Sequence, residues 1–481
     1  MKKNVIILGL FSIVLLWFSS CSENLDSLSP ASITLKQEPF KGTLTLSLNP
    51  KDFSQDDPYR VSYEDVINFS KSLRPNKECN VDIYKNENDT LLYLLNYGDE
   101  WIVVAGDKRI NPFVAESKED AISFDTPNEN LKAYLDSYAD EIRIIRKDPK
   151  VIENEYTKFW GLILNNKPKI ESKTRNPEYK WAVNSYTYLD SETSSVLIPH
   201  LVLTKWGQNS PWNNCFPTDA NHNNNKCKTG CAAVAFGQLL YYTHYHLGKP
   251  SGLYHSISVS SSILGPTSNI NYSPSNWNSN SNRWGTMALS GSSSNTGLEY
   301  DYVGYLMMDI GNNMNMIYCA DYGEGDLSSN AASNYNLTYS LSSYNYQLVK
   351  KDLQNSKPVY TTAYSQPNHQ DGHAWLIDGL GEKTRHYIIQ KSFEYTENWM
   401  YSSEYFDTFD ELRARYHINS EYDIVEEDGG YVTTEYLFMN WGQDGSNDGG
   451  YYSTYPTSTW TFYSIPSYNF QYDKRIKYDF R

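Results

Sequence analysis

The sequence predicts an α+β protein, and three patterns carry that expectation. Ser62 to Leu73 and Pro127 to Arg146 repeat apolar residues at helical spacing. Thr90 to Val104 reads as two paired strands around the turn Asn96-Tyr97-Gly98-Asp99. After Pro358, short Tyr- and Val-containing runs alternate with Gly turns, the pattern of an antiparallel sheet. A chain of 481 residues is long enough for two or three domains, each with its own core.

The balance of 40% hydrophobic and 20% charged residues is that of a folded protein rather than a disordered one. The 42 Tyr and 12 Trp, with many Asn and Ser, suit a sheet-rich exported protein. A net charge of -16 leaves no basic surplus to neutralise phosphates, which argues against nucleic acid as a partner.

Lys2 and Lys3 precede a largely apolar run from Val5 to Trp17, and Phe18-Ser19-Ser20 leads to Cys21. Residues 1–20 therefore read as a secretory signal, too short for a comfortable membrane span. Small residues before a cysteine resemble the lipobox of bacterial lipoproteins. That resemblance implies a lipid on Cys21, membrane contact through it, and an outer-membrane or cell-surface location, with release on maturation. Residues 21–35 form a flexible tether. Residues 36–190 form a first domain and a linker, whose polar stretch, Asn165 to Tyr186, contains Pro168, Lys173, Arg175 and Pro177 and suits proteolytic nicking. A second domain occupies 191–481.

With Cys21 set aside, Cys79, Cys215, Cys227, Cys231 and Cys319 remain, an odd number that leaves at least one free thiol. Cys215 and Cys227 lie in an Asn-rich loop, where a disulfide and two free thiols are equally open readings. Cys231 is different. It follows Gly230 at the start of an apolar, small-residue helix, Cys231 to Leu240, where unpaired N–H groups and the helix dipole stabilise a thiolate. His373 lies 142 residues further on, in Gly372-His373-Ala374-Trp375, the separation expected of papain-like Cys–His pairs. Asn440-Trp441 stands at a later strand end. In papain-like logic the Asn orients the imidazole and the Trp shields that contact from water.

These segments resemble the streptopain family of bacterial cysteine peptidases. The matching stretches are Thr204-Lys205-Trp206-Gly207-Gln208, Pro211-Trp212-Asn213-Asn214-Cys215, Thr229-Gly230-Cys231-Ala232-Ala233-Val234-Ala235, Gly372-His373-Ala374-Trp375 and Asn440-Trp441-Gly442. Residues 58–146, with Trp101 to Arg109, resemble the family's inhibitory propeptide. The resemblance implies a papain-like catalytic domain behind a small α+β prodomain. It implies Cys231 as nucleophile, His373 as general base and acid, Asn440 as its orienter and Trp441 as cover. Gln208 would donate its amide to the oxyanion beside the Cys231 N–H. The implied partners are protein or peptide substrates and the chain's own propeptide, which would make the protein a zymogen.

Two departures from the family pattern stand out. Gln443-Asp444-Gly445 replaces the usual second Trp-Gly. His373 and Asn440 are 67 residues apart, so a surplus of about 393–429, with a helix at Phe406 to Arg415, must loop out if the two strands pair. His244 and His246 flank Tyr245 without the spacing that completes a metal site, and Tyr455 stands where a calcium loop needs its Glu, so no metal or cofactor is expected. The alternative function is a catalytically inactive, peptide-binding surface lipoprotein of the same fold.

Overall fold

The computed structural model describes residues 57–86, 89–119, 122–124, 128–147, 154–164, 179–219, 222–223, 225–248, 257–259, 270–272, 284–291, 297–364, 372–399, 402, 404–453 and 475–481. The signal, Cys21, the tether, linker residues 165–178, Asp371 and Tyr455 lie outside them.

The first domain opens with helix α1 (Tyr63–Leu73) and four antiparallel strands, β1 (Asn80–Asn86), β2 (Asp89–Asn96), β3 (Trp101–Ala105) and β4 (Phe113–Ser117). Ser62 starts α1 because its hydroxyl accepts from the Asp65 N–H while the Asp65 carboxylate accepts from the Ser62 N–H. Gly98, at φ +91°, takes the left-handed corner between β2 and β3, where a side chain would be strained. Helices α2 (Glu129–Lys147) and α3 (Glu155–Leu164) follow. Strand alternation sorts the core into two clusters. Leu92 and Leu94 of β2 pack with Leu131, Leu135 and Ile142 of α2. Tyr93 and Leu95 pack on the other face with Phe69 of α1 and Trp160 of α3.

The chain continues through β5 (Lys180–Ile198), the ribbon β6 (Thr218–Asp219) and β7 (Asn225–Lys226), and helix α4 (Cys231–Leu240). A π-helical turn, Tyr241–His246, extends α4 and carries His244 and His246. Then come β8 (Ile257–Val259) paired with β9 (Ile270–Tyr272), α5 (Leu298–Asn313), the hairpin β10 (Ile317–Tyr318) with β11 (Gly323–Glu324), and α6 (Ser329–Ser333). The remainder is β12 (Ser340–Ser343), α7 (Tyr346–Gln354), β13 (Val359–Tyr364), β14 (Gly372–Thr396), β15 (Glu404–Phe406), α8 (Phe409–Tyr416), β16 (Val425–Asn440), β17 (Tyr451–Ser453) and β18 (Arg475–Tyr478).

Among the described residues, one twelve-stranded sheet runs through both domains in the order β1-β2-β3-β4-β17-β16-β14-β13-β18-β12, with β5 alongside the far part of β14 and β15 paired to β5. The seam is β4 against β17, which pairs Glu116 with Tyr451 and Ala115 with Tyr452. Helix α2 lies on one face of the shared sheet, in the same cluster as Trp375, Ile377, Met439 and Trp441 of the second domain. Helices α4 and α5 cover the other face, against Ala374 and Leu376.

Two sequence expectations need correction. The surplus between His373 and Asn440 does not loop out at 393. Strand β14 continues to Thr396, with β16 on one edge from Leu376↔Asn440 to Lys391↔Val425 and β5 on the other from Leu380↔Ile198 to Thr396↔Lys180. The extra length therefore forms a three-stranded ribbon, capped by β15 and α8 around Phe393, Leu412, Tyr416 and Ile418. Lengthening paired strands keeps every backbone group bonded, which a long bare loop does not. The second correction concerns residues 180–186. They are strand rather than exposed linker, and β5 passes unbroken across the 190/191 boundary. Cys215 and Cys227 are free thiols.

Candidate active site

Gly230 sets the start of α4. Its φ of +86° turns the chain into the helix, and a Cβ there would clash with the Met316 side chain. Cys231 follows as the first helical residue. The Thr229 N–H donates to the Gln208 carbonyl at 3.1 Å, which brings the Trp206–Gln208 segment alongside the nucleophile. Gln208 is buried there.

The thiol of Cys231 is only 8% exposed and lies 3.9 Å from the Gly372 carbonyl, to which it donates. Burial pushes it up to about 11, and the Glu129 carboxylate adds to this, while the N–H groups of Ala374, Ala232 and Cys231 itself work the other way. The helix start thus does not win here: in this structure Cys231 is a neutral thiol rather than the expected thiolate.

His373 is the second residue of β14 and pairs with Ala363 of β13. Its strand neighbours Trp375 and Ile377 pack beneath α2, and Ala374 packs with α4 and Cys231. The Cys231 thiol meets β14 at Gly372, the residue before His373, so nucleophile and base both lie at the start of that strand.

Asn440 requires the clearest correction. Its pair partner is Leu376, so it faces α4 and not His373. Its amide donates to the Thr204 carbonyl at 2.8 Å, and its oxygen accepts from Gln238 Nε2 at 2.8 Å and from the Gly442 N–H at 3.2 Å. Gln238 in turn accepts from the Thr204 hydroxyl and the Trp206 N–H. This buried, satisfied network ties α4 to β16 and to the segment bearing Gln208. Sequence reading missed Gln238, although its position seven residues after Cys231 puts it on the same helix face.

Trp441 packs beneath α2 in the cluster of Trp375. It is fully buried, 5.3 Å from the Trp375 ring and edge-on to Tyr134 of α2 and Tyr452 of β17. Its backbone N–H donates to Asp448, so the 443–449 loop folds back beneath it. Burial, with the Asp378 carboxylate nearby, raises Asp448 to about 7. Asp378 is itself bonded to His200. Burial works against that imidazolium, but the Asp378 contact outweighs it and holds His200 above its ordinary value.

The start of α2 reaches into this assembly. Asn128 caps the helix, its oxygen accepting from the Asn130 and Leu131 N–H groups, and its amide donates to the Ser446 carbonyl at 3.2 Å. Glu129 pairs with Lys228 at 3.3 Å. Asn130, fully buried, donates to the carbonyls of Ala374 and Trp441 together. Three consecutive residues of the first domain thus hold the His373 strand, the Trp441 loop and the segment before Cys231.

Residues 206–452 match the Peptidase C10 family and residues 65–142 match the Spi protease inhibitor family. No curated protein matches the chain. Among solved structures, a mutant fragment of Prevotella intermedia prointerpain A is 17% identical, with a TM-score of 0.45, over 83% of this chain and 98% of that one. The active wild-type Prevotella intermedia interpain A cysteine protease is 19% identical, with a TM-score of 0.36, over 60% and 95%. The chain belongs to the Peptidase C10 (streptopain) family, a cysteine-type peptidase of papain-like α+β fold that carries its own inhibitory propeptide in front of the catalytic domain.

Proposed function

We propose that this protein is an exported endopeptidase, anchored through a lipid on Cys21 and kept latent by residues 128–130. The observation that carries the reading is Asn130, which bridges the carbonyls of Ala374 and Trp441 while Cys231 stays buried and protonated. Departure of α2 removes Glu129 from the neighbourhood of the thiol and uncovers the start of the His373 strand. His373 then takes the Cys231 proton, and the thiolate attacks a peptide carbonyl. Gln208 and the Cys231 N–H receive the developing oxyanion, the amine leaves with the proton from His373, and water activated by His373 hydrolyses the acyl-enzyme. Trp441 walls the His373 side, and Asn440 acts as a positioning residue through Gln238.

Anchoring and export rest on the basic and apolar run ahead of Cys21. Of the stretch from about Glu171 to Thr193 expected to be cut, a cut at 171–179 is favoured, because a cut at 180–193 would sever a strand bonded to β14. Either cut separates the catalytic domain from Cys21. The test is expression of full-length wild type beside Cys231→Ala. Wild type should convert to a fragment of roughly 300 residues that an epoxide thiol-protease probe labels. Cys231→Ala should stay at precursor size and unlabelled. Conversion and peptide hydrolysis by Cys231→Ala as fast as by wild type would sink the assignment.

A further inference from the structure

We propose that Asp219, His222 and Cys319 form a site for a borderline-soft divalent cation, with the chemistry of Zn2+, that staples the loop before the nucleophile to the β10–β11 hairpin. One ligand atom from each residue lies within 4.8 Å of the other two. Around a single tetrahedral Zn2+, such atoms sit about 3.3–3.6 Å apart, given bonds of roughly 2.0–2.1 Å to N or O and 2.3 Å to S. The trio therefore closes on an ion with side-chain shifts of about an ångström. An imidazole, a carboxylate and a thiolate suit Zn2+, whereas Mg2+ and Ca2+ want oxygen alone.

The surroundings are those of a held ligand set. The Ala320 N–H donates to Asp219 Oδ2 at 3.1 Å, and the Asp321 N–H donates to Cys319 Sγ at 3.2 Å. His222 lies between two carboxylates, with Nδ1 2.7 Å from Asp219 and Nε2 3.1 Å from Asp321. If Nδ1 takes the metal in place of its hydrogen bond, Nε2–H still donates to Asp321 and orients the ring. Asp219 and Cys319 are buried, and His222 is partly exposed, so the ion enters from the His222 side and water completes its coordination.

The location gives the staple a consequence. The Lys228 N–H donates to the Cys319 carbonyl at 3.0 Å, and a Cβ at Gly323 would meet the Gly230 backbone at 2.8 Å. A cation at Asp219, His222 and Cys319 therefore holds the hairpin against the residues that begin α4. Cys319 and His222 are 97 positions apart, and no local spacing announces them.

The test uses full-length Cys231→Ala protein, which removes the catalytic thiol as a competing ligand. After chelator treatment, Zn2+ should bind at one equivalent per chain in competition with a chromophoric chelator, and should raise the melting temperature. Co2+ should give a thiolate-to-metal charge-transfer band. Cys319→Ser should abolish that band, and Cys319→Ser and His222→Ala should each weaken Zn2+ binding by more than the roughly 10- to 100-fold that outer-sphere changes cost. Cys215→Ser should change neither. Absence of stoichiometric Zn2+, a Co2+ spectrum without the band, binding that survives Cys319→Ser, or a Cys227–Cys319 disulfide in the purified protein would each overturn the site. The Co2+ spectrum needs no change at the ligands, so it decides for or against the site even where a ligand variant fails to fold.

Discussion

Two of the places where the propeptide grips the catalytic domain are chemically opposite. At the sheet seam the grip is ionic. Glu116 of β4 is buried between Arg385 at 2.6 Å and Lys383 at 2.9 Å, and Arg385 also reaches Glu192 of β5 and the Tyr436 hydroxyl. The guanidinium lies 3.7 Å over the Phe113 ring. Burial opposes the Glu116 charge, yet Arg385 and Lys383 hold its carboxyl well below the usual range. At the active site the grip is almost neutral: two asparagine amides on backbone carbonyls, and one partly exposed Glu129–Lys228 pair. The anchor sits away from the chemistry, while the part that blocks the chemistry is light. Such a division lets the blocking residues leave readily once the anchor or the chain is cut.

Breaking the anchor should have the largest effect on the precursor. Glu116→Ala leaves Arg385 and Lys383 buried with Glu192 as their remaining carboxylate. Removing one partner of a buried pair costs about 3–5 kcal/mol. Denaturant unfolding of the Cys231→Ala precursor should show that loss, while the separated catalytic domain, which lacks residue 116, is unaffected. A loss under about 1 kcal/mol would place the seam among surface-type ion pairs and undo the contrast.

Asn130→Ala tests the light contact. It removes donors from two buried carbonyls, worth roughly 1–3 kcal/mol. That range corresponds to probe labelling of the wild-type precursor about 5- to 150-fold faster, with the seam intact. Unchanged labelling would show that the bulk of α2, not Asn130, closes the site.

The smallest effect belongs to Glu129→Gln. The Glu129 carboxylate raises Cys231, so its neutralisation should lower the thiol from about 11. A lower value means more thiolate at any pH below it, and alkylation of Cys231 should speed up modestly, by under tenfold. Its rate should still climb through pH 9–10, because burial, the larger cause, is untouched. A pH profile unchanged by the substitution would leave burial as the whole explanation.

Much of the site is legible along the chain because its signals are local. Gly230-Cys231 before an apolar run, a His ahead of a strand and Asn440-Trp441 at a strand end each sit within a few residues. The spacing predicts helix α2 at Pro127 to Arg146, and the helix spans Glu129–Lys147, since its period is set by the face it buries. The role of Asn440 is not legible in this way. It depends on a bulge between Ile377 and Gly379 and on pairing with Leu376, and that register turns it toward Gln238. A one-residue shift in pairing exchanges the faces of a sheet, and nothing local announces it.

The order of motifs along the chain established the family chemistry, the division into propeptide and catalytic domain, and the candidate nucleophile and base. Folding assigned what depends on contacts between distant segments. It joined the two domains through β4 and β17, turned the surplus into a ribbon with β5, and buried Glu116 on Arg385. It also set Asn130 on the His373 strand and buried the Cys231 thiol against the start of that strand. Periodicity reports which face of an element is apolar, whereas the partner that covers it, and the burial that raises a thiol, exist once the chain has closed on itself.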